Sequence, residues 1–307
     1  MFKPRPLQKK VLEFRKGRMG VSAVPGSGKT QTLSYLAARL IAENRVAEDQ
    51  EVLVVTLVNS AVNNFSQRIE GFIQNAGLLP GFGYRVRTLH GLAHDIIRER
   101  PDLVGLSNQF TILDDRESSE ILSTLSTNWL RVNPEFINLY NGADSGGGYK
   151  EQKNWEETVT TIAGSFIRMA KDLQASPAFI EQKMLEMDVD QPQLKMGLEI
   201  YQNYQRALSY RGAVDFDDLV RLALMALKQD PEYLERLHYR FPYILEDEAQ
   251  DSSRLQEEIL RLLVGQNGNW IRVGDPNQAI YETFTTASPD YLINYLHESG
   301  VIEKNLS

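Results

Sequence analysis

The stretch Ala23-Val24-Pro25-Gly26-Ser27-Gly28-Lys29-Thr30 limits what this chain can become more than any other, because its order of glycines, lysine and hydroxyl suits a bend between a strand and a helix. Met19 to Val24 is a short, mostly apolar run fit for a buried strand. Beyond the bend, Leu33, Leu36, Ala37, Leu40 and Ile41 recur at helical spacing, which predicts a helix from Gly28 to Asn44. Glycines allow backbone angles and close approaches that side chains forbid, so N–H groups can converge on phosphate oxygens. The helix N-terminus adds partial positive charge. In such a loop Lys29 reaches the outer phosphates as a point charge and the Thr30 hydroxyl ligates magnesium. The predicted contacts run from Pro25 through Gly26, Ser27, Gly28, Lys29 and Thr30 to Gln31, and they make a nucleoside triphosphate site. Ala23 departs from the general pattern, which opens with Gly; the bland alternative is a Gly-rich turn that happens to precede Lys and Thr.

A chain of 307 residues can bury a sizeable core and suggests about two domains. It has no cysteine, so neither a disulfide nor a thiolate metal site is available, and this suits a reducing compartment. The start lacks the apolar core of a signal peptide and no apolar run approaches membrane-spanning length, so a cytoplasmic protein without a membrane partner is expected. The net charge of −8 argues at first against a nucleic-acid partner. Its distribution softens that: residues 112–205 carry 8 Lys and Arg against 15 Asp and Glu, whereas the remainder carries 25 against 26. A basic groove on the flanking parts stays open.

Along the chain, Val52 to Thr56 is a continuous apolar, β-branched run of the kind buried on both faces of a parallel sheet. A helix is predicted from Asn59 to Ile73, a strand over Arg85–Leu89, and a further helix opening at His90. His90 and His94 have the spacing of a zinc pair, but Gly91 stands where a zinc protease needs Glu, so a structural or phosphate-contacting His90 is the better reading. From about Ile112 helical periodicity replaces the alternation, with Ile162, Phe166, Met169 and Leu173 as one predicted core stripe and Leu198, Tyr201 and Leu208 as another. Gly142 to Gly148 reads as a loop. The alternation returns near Val214, with a helix from Phe216 to about Lys228 and a strand over Tyr243–Leu245 that runs into Glu246-Asp247-Glu248. Carboxylates at the end of a buried strand need a cation or partner to offset desolvation, and phosphate-held magnesium supplies one. Asp247 is then the second magnesium contact and Glu248 the base that orients attacking water. Ile271-Arg272-Val273 is the last predicted strand, and Gln278 follows it toward the γ-phosphate. The phosphate loop, Thr56, His90, Asp247 and Gln278 thus all follow predicted strands, where ligands gather in open parallel sheets.

These motifs resemble the superfamily 1 DNA helicases of the UvrD/Rep/PcrA type. Val54-Val55-Thr56-Leu57-Val58-Asn59-Ser60-Ala61 looks like the family's VTFTNKAA, Thr88-Leu89-His90-Gly91 like TFHS, and Val214 to Leu219 like LDFDDL. Leu245 to Asp251 resembles VDEFQD, Val273 to Tyr281 resembles VGDDDQSIY, and Gln8 sits where the family reads adenine. The resemblance implies an α/β fold: a RecA-like P-loop NTPase domain of residues 1–111 and 206–307 around a parallel sheet, interrupted by an all-helical subdomain of residues 112–205. It implies ATP and Mg2+ as cofactors, catalytic roles for Lys29, Glu248 and Gln278, and single-stranded DNA, or a single-strand/duplex junction, as partner. Movement would run 3′ to 5′. The implied DNA contacts are Thr56, Asn59, His90, Tyr281 and Phe284.

The departures cluster on the DNA side. Leu57 replaces the family's stacking Phe, Ser60 replaces a Lys, and the aromatic-Arg-Gly after the final Tyr is replaced by Glu282-Thr283-Phe284-Thr285-Thr286. Stacking is worth roughly 1–3 kcal/mol per base, so two lost platforms weaken the grip on DNA. On the nucleotide side Gln31 replaces a frequent Arg. The family's second motor domain, with its arginines for the γ-phosphate, does not occur within these residues, so a fragment that binds MgATP and turns it over poorly is expected. The acidic 112–205 segment suggests a protein partner. Two other classes compete: a nucleotide-dependent DNA- or protein-binding regulatory module without unwinding activity, and a P-loop kinase, which would leave Gln8, His90 and Gln278 unexplained together.

Overall fold

A computed structural model describes residues 3–139, 149–278 and 287–306. Two compact units emerge, one of Met1–Leu103 with Ala223–Ser307 and one of Val104–Leu222.

The first unit is built on six strands: β1 (Arg18–Ala23), β2 (Val52–Thr56), β3 (Tyr84–Thr88), β6 (Tyr243–Glu246), β7 (Asn269–Gly274) and β8 (Val301–Leu306). They lie in the order β3-β2-β6-β7-β1-β8 and every pairing is parallel. Parallel neighbours demand crossovers, and helices supply them: α2 (Lys29–Ala42), α3 (Asn59–Asn75), α4 (Leu89–Glu99), α11 (Pro231–Arg240), α12 (Arg254–Val264) and α13 (Asp290–Leu296), with α1 (Pro6–Leu12) leading into β1. Every residue of β2 is buried, as its unbroken apolar run requires of a central strand covered on both faces. Val21, Leu33, Leu36, Leu40, Val54, Phe65, Ile69, Leu245 and Ile271 belong to one core cluster under this layer.

Three features differ from the sequence expectation. β8 is an additional strand beside β1, although Glu303 and Lys304 break its apolar pattern; it lies at the sheet edge, where polar side chains cost little. Leu89, expected in a strand, starts α4, because the Thr88 side chain caps that helix by accepting from the Gly91 N–H. Arg272, in the middle of β7, is wholly buried. It pairs across the sheet with Glu246 at 2.7 Å, also ion-pairs with Glu257, and lies against the rings of Trp270 and Tyr295 at 4.7 and 5.2 Å. Two carboxylates and two π faces replace the water such a charge would otherwise need.

The second unit holds α5 (Asp115–Val132), α6 (Glu135–Asn138), α7 (Tyr149–Asp172), α8 (Pro177–Glu186), α9 (Pro192–Tyr210) and the first part of α10 (Phe216–Gln229). This unit runs from Val104 to Leu222, against the 112–205 that the resemblance implies. A two-stranded parallel ladder, β4 (Thr111–Ile112) with β5 (Ala213–Val214), brings residues from both ends of the segment together. α7 turns a different face inward from the one expected. Val159, Ala163, Ile167 and Ala170 are buried, while Ile162, Met169 and Leu173 are exposed and Phe166 only partly covered. Both stripes have helical spacing; the alanine-bearing one lets α5 and α9 approach closely. Leu198, Tyr201 and Leu208 are buried on α9. Residues 142–148 lie outside the described residues.

Candidate nucleotide site

β1 ends at Ala23 and α2 begins at Lys29, so the loop turns over the carboxyl edge of the sheet. Gly26 and Gly28 have φ of +72° and +86°, left-handed conformations that favour glycine. Gly28 has a second reason: a Cβ there would lie 2.7 Å from Gln8 Nε2. Gln8 itself is buried and bonded, not solvated. Its Nε2 donates to the Ser27 carbonyl at 3.1 Å and its Oε1 accepts from the Arg5 N–H at 2.8 Å. The Arg5 guanidinium also donates to the Ser27 carbonyl, at 3.0 Å. Loop and N-terminal helix are therefore tied at one carbonyl, and within the loop the Ser27 N–H donates to the Val24 carbonyl at 3.2 Å.

β6 delivers the acids. Glu246 still belongs to the strand and serves Arg272 and the Ser252 hydroxyl, so it is structural. Asp247, 6% exposed, anchors its N–H on the Val55 carbonyl at 2.9 Å, while its Oδ1 is buried without a hydrogen-bond partner. Burial, then repulsion from Glu248, pushes its pKa up to about 7, against the pull of Lys29. A buried oxygen with no donor and a carboxylate held near neutrality fit a site whose missing partner is a cation. Lys29 Nζ reaches Glu248 Oε2 at 2.7 Å, and Glu248 holds a left-handed φ of +55°, strained for a side chain of its size. The Ser27 hydroxyl is likewise buried without a partner. Thr30 is half-buried in the first turn of α2, followed by half-buried Gln31; Pro25 is exposed.

The remaining predicted residues divide. Thr56 ends β2, is buried, and stands in register with Thr88; Asn59 opens α3 and is exposed; His90 is half-buried in the first turn of α4. Gln278 is exposed, four residues past the end of β7, in a turn where its N–H donates to the Asp275 carbonyl at 3.0 Å. Tyr281 and Phe284 lie outside the described residues. Sequence reasoning passed over Arg5, Gln250 and Asp275. Gln250 sits inside the acidic motif already singled out, and only its burial and three side-chain bonds distinguish it.

Among the described residues no helix is long and apolar enough to cross a membrane. A family model described as the UvrD/REP helicase N-terminal domain matches residues 5–298. The chain is 30% identical over 261 residues to the DNA helicase II of Haemophilus influenzae, covering 85% of this chain and 32% of that protein. It is 26% identical over 274 residues to the ATP-dependent DNA helicase PcrA of Staphylococcus aureus, covering 89% and 33%, and 25% identical over 274 residues to that of Staphylococcus epidermidis. The chain spans about a third of the length of these relatives.

Proposed function

The chain belongs to the UvrD/REP helicase N-terminal domain family, whose fold is RecA-like, and from that premise we propose that its sheet edge binds MgATP and helps to hydrolyse it. The observation that carries this is the buried, unpartnered Oδ1 of Asp247 beside a phosphate-type loop whose lysine is engaged by Glu248. Magnesium, when bound, would neutralise phosphate charge, and Thr30 and Asp247 would hold it. Lys29 would exchange Glu248 for the phosphates, freeing that carboxylate to orient water, while Gln278 would approach from the turn after β7. Loop N–H groups from Gly26 to Thr30 would cradle phosphate, and Gln8 would hold the loop while facing the base.

We further propose that hydrolysis drives movement along single-stranded DNA, 3′ to 5′, with Thr56, Asn59, His90, Tyr281 and Phe284 as contacts, and that full turnover needs a second motor domain of the kind the resemblance implies. The helical unit would meet a protein partner through its acidic surface. Exposed Leu57 and Val58 in place of a stacking aromatic favour a second reading, a nucleotide-dependent regulatory module.

The test is MgATP binding and turnover by this chain with and without oligo-dT, beside Lys29→Ala. MgATP binding that Lys29→Ala weakens on the order of 10- to 100-fold is expected, with turnover near background in either condition. Turnover stimulated by DNA after a second motor domain is added supports the translocase; turnover indifferent to DNA supports the regulatory module. Absence of MgATP binding overturns both.

A further inference from the structure

Gln250 is 4% exposed and lies in a short 3₁₀ turn, Ala249–Asp251, just beyond Glu248. Its Nε2 donates to Glu248 Oε2 at 3.0 Å and to Asp251 Oδ2 at 2.9 Å, and its Oε1 accepts from the Asp275 N–H at 3.1 Å. The amide can face only one way, because both carboxylates need donors and the N–H needs an acceptor. The fit is close. A Cβ on Gly274 would lie 2.4 Å from Gln250 Oε1, so β7 ends in a residue without a side chain where the amide passes. Beyond Asp275 the turn closes on the same residue: Asp275 Oδ1 accepts from the Asn277 N–H at 3.0 Å and its carbonyl from the Gln278 N–H.

Glu248 Oε2 therefore has two donors, Lys29 and Gln250. If Lys29 leaves for phosphate, Gln250 is the donor that still aims this carboxylate. From these contacts we propose that Gln250 is a positioning residue which holds Glu248 for water and links its state to the Asp275–Gln278 turn. The inference rests on the reading of the edge as an MgATP site. It explains why one buried amide spans the ends of β6 and β7 when each strand is already paired along its length.

Two variants separate the two arms. Gln250→Leu removes every bond at nearly constant volume; Gln250→Glu, followed at a pH high enough to ionise it, keeps an acceptor for the Asp275 N–H but cannot donate to Glu248 or Asp251. Amide hydrogen exchange over Asp275–Gln278 is followed with and without magnesium and a non-hydrolysable ATP analogue, beside a nucleotide titration and turnover of the same chains. In the wild type the analogue is expected to change exchange over the turn. Gln250→Leu should exchange faster at Asp275, at least tenfold, and should lose the response to nucleotide. Gln250→Glu should stay protected at Asp275 but also lose the response. Both should bind the analogue within about threefold of wild type, and any turnover measurable in wild type should fall in kcat rather than rise in KM. A wild-type nucleotide response that survives in Gln250→Glu, or an unchanged Asp275 exchange rate in Gln250→Leu, overturns the inference, as does a wild-type turn that ignores bound nucleotide. A wild type that fails to bind the analogue, or binding untouched by Lys29→Ala, overturns instead the reading of the site.

Discussion

Each unit gathers carboxylates around a lysine, and the two clusters are built to opposite ends. In the helical unit Lys171 is fully buried, with Asp215 Oδ2 at 2.5 Å and Asp218 Oδ2 at 2.9 Å. Tyr204 donates a hydroxyl to Asp215, Gln205 and Arg221 donate to Asp218, and the Asp218 N–H donates to Asp215 Oδ1, so the cluster is richly satisfied. Burial alone would depress the Lys171 pKa, yet Asp218 and Asp215 reverse that and hold it above its ordinary value. In the α/β unit Lys29 and Glu248 are partly open to solvent, Asp247 has an oxygen with no donor, and Glu248 is strained. A closed cluster is satisfied by its own fold and costly to break; an open one, held at some cost, leaves room for a charged ligand.

The largest effect that can test this contrast is expected at Lys171. Lys171→Ala leaves buried Asp215 without its lysine and buried Asp218 dependent on the partly exposed Arg221, and should cost about 3–5 kcal/mol in chemical denaturation. A cost below 1 kcal/mol would mean that the cluster relaxes to water and is not closed.

Next comes Asp247. Its folded pKa of about 7 lies above the unfolded value of roughly 3.9, so ionising it opposes folding. The sign follows: its contribution is most favourable below the unfolded pKa and is lost as pH rises through the folded one, with a slope of up to about 1.4 kcal/mol per pH unit. The stability gap between Asp247→Asn and wild type should widen in favour of the variant from pH 4 to 7. Asp217, pushed up to about 6 by burial and then by Asp215, adds a slope of its own, but the difference between variant and wild type isolates Asp247. A flat difference would show that Asp247 is already paid for by protein groups.

Much of this contrast was open to reading in the sequence on one side only. The phosphate loop, Asp247 and Glu248 stand in contiguous motifs flanked by strands, where local order carries the chemistry. The Lys171 cluster does not. Its members come from α7 and from the start of α10, and the face that buries Lys171 follows Ile167 and Ala170, a stripe one position away from the larger apolar residues. Volume favoured Ile162 and Met169; close packing chose the smaller face. Arg272 was hidden for the same reason, since its buried partners Glu246 and Glu257 lie on other elements. β8 was missed because an edge strand needs no strong apolar signal. The relation of Gln250 to Asp275 depends on neighbouring strands, 25 residues apart in the chain.

At Lys29 the two sides of the contrast should separate by observable. Lys29→Ala removes a partly exposed pair, so its stability cost should stay below about 1 kcal/mol. Nucleotide affinity should fall on the order of 10- to 100-fold, the worth of a charge-assisted phosphate contact. Isothermal titration and thermal melting of the same preparation read both quantities. A large stability loss with affinity retained would invert the assignment and make Lys29 the structural lysine.

The smallest expected effect concerns the strain at Glu248. Among the described residues four non-glycines have positive φ, and three of them, Asn44, Gln174 and Asp188, lie two residues past the ends of α2, α7 and α8, where left-handed closure of a helix is common. Glu248 instead lies between β6 and the start of the Ala249–Asp251 turn, so closure of a helix C-terminus does not explain it. Glu248→Gly relieves a left-handed conformation worth about 1–2 kcal/mol and gives back roughly 0.5–1 kcal/mol in chain entropy. A net gain of about 0–1.5 kcal/mol is therefore expected by denaturation, together with loss of any MgATP turnover the wild type shows. The matching change at Asp218, which carries no such strain and is bonded on every side, should lower stability instead. If Glu248→Gly proves clearly destabilising, the conformation is held by bonds it repays, and the open cluster is as much a part of the fold as the closed one.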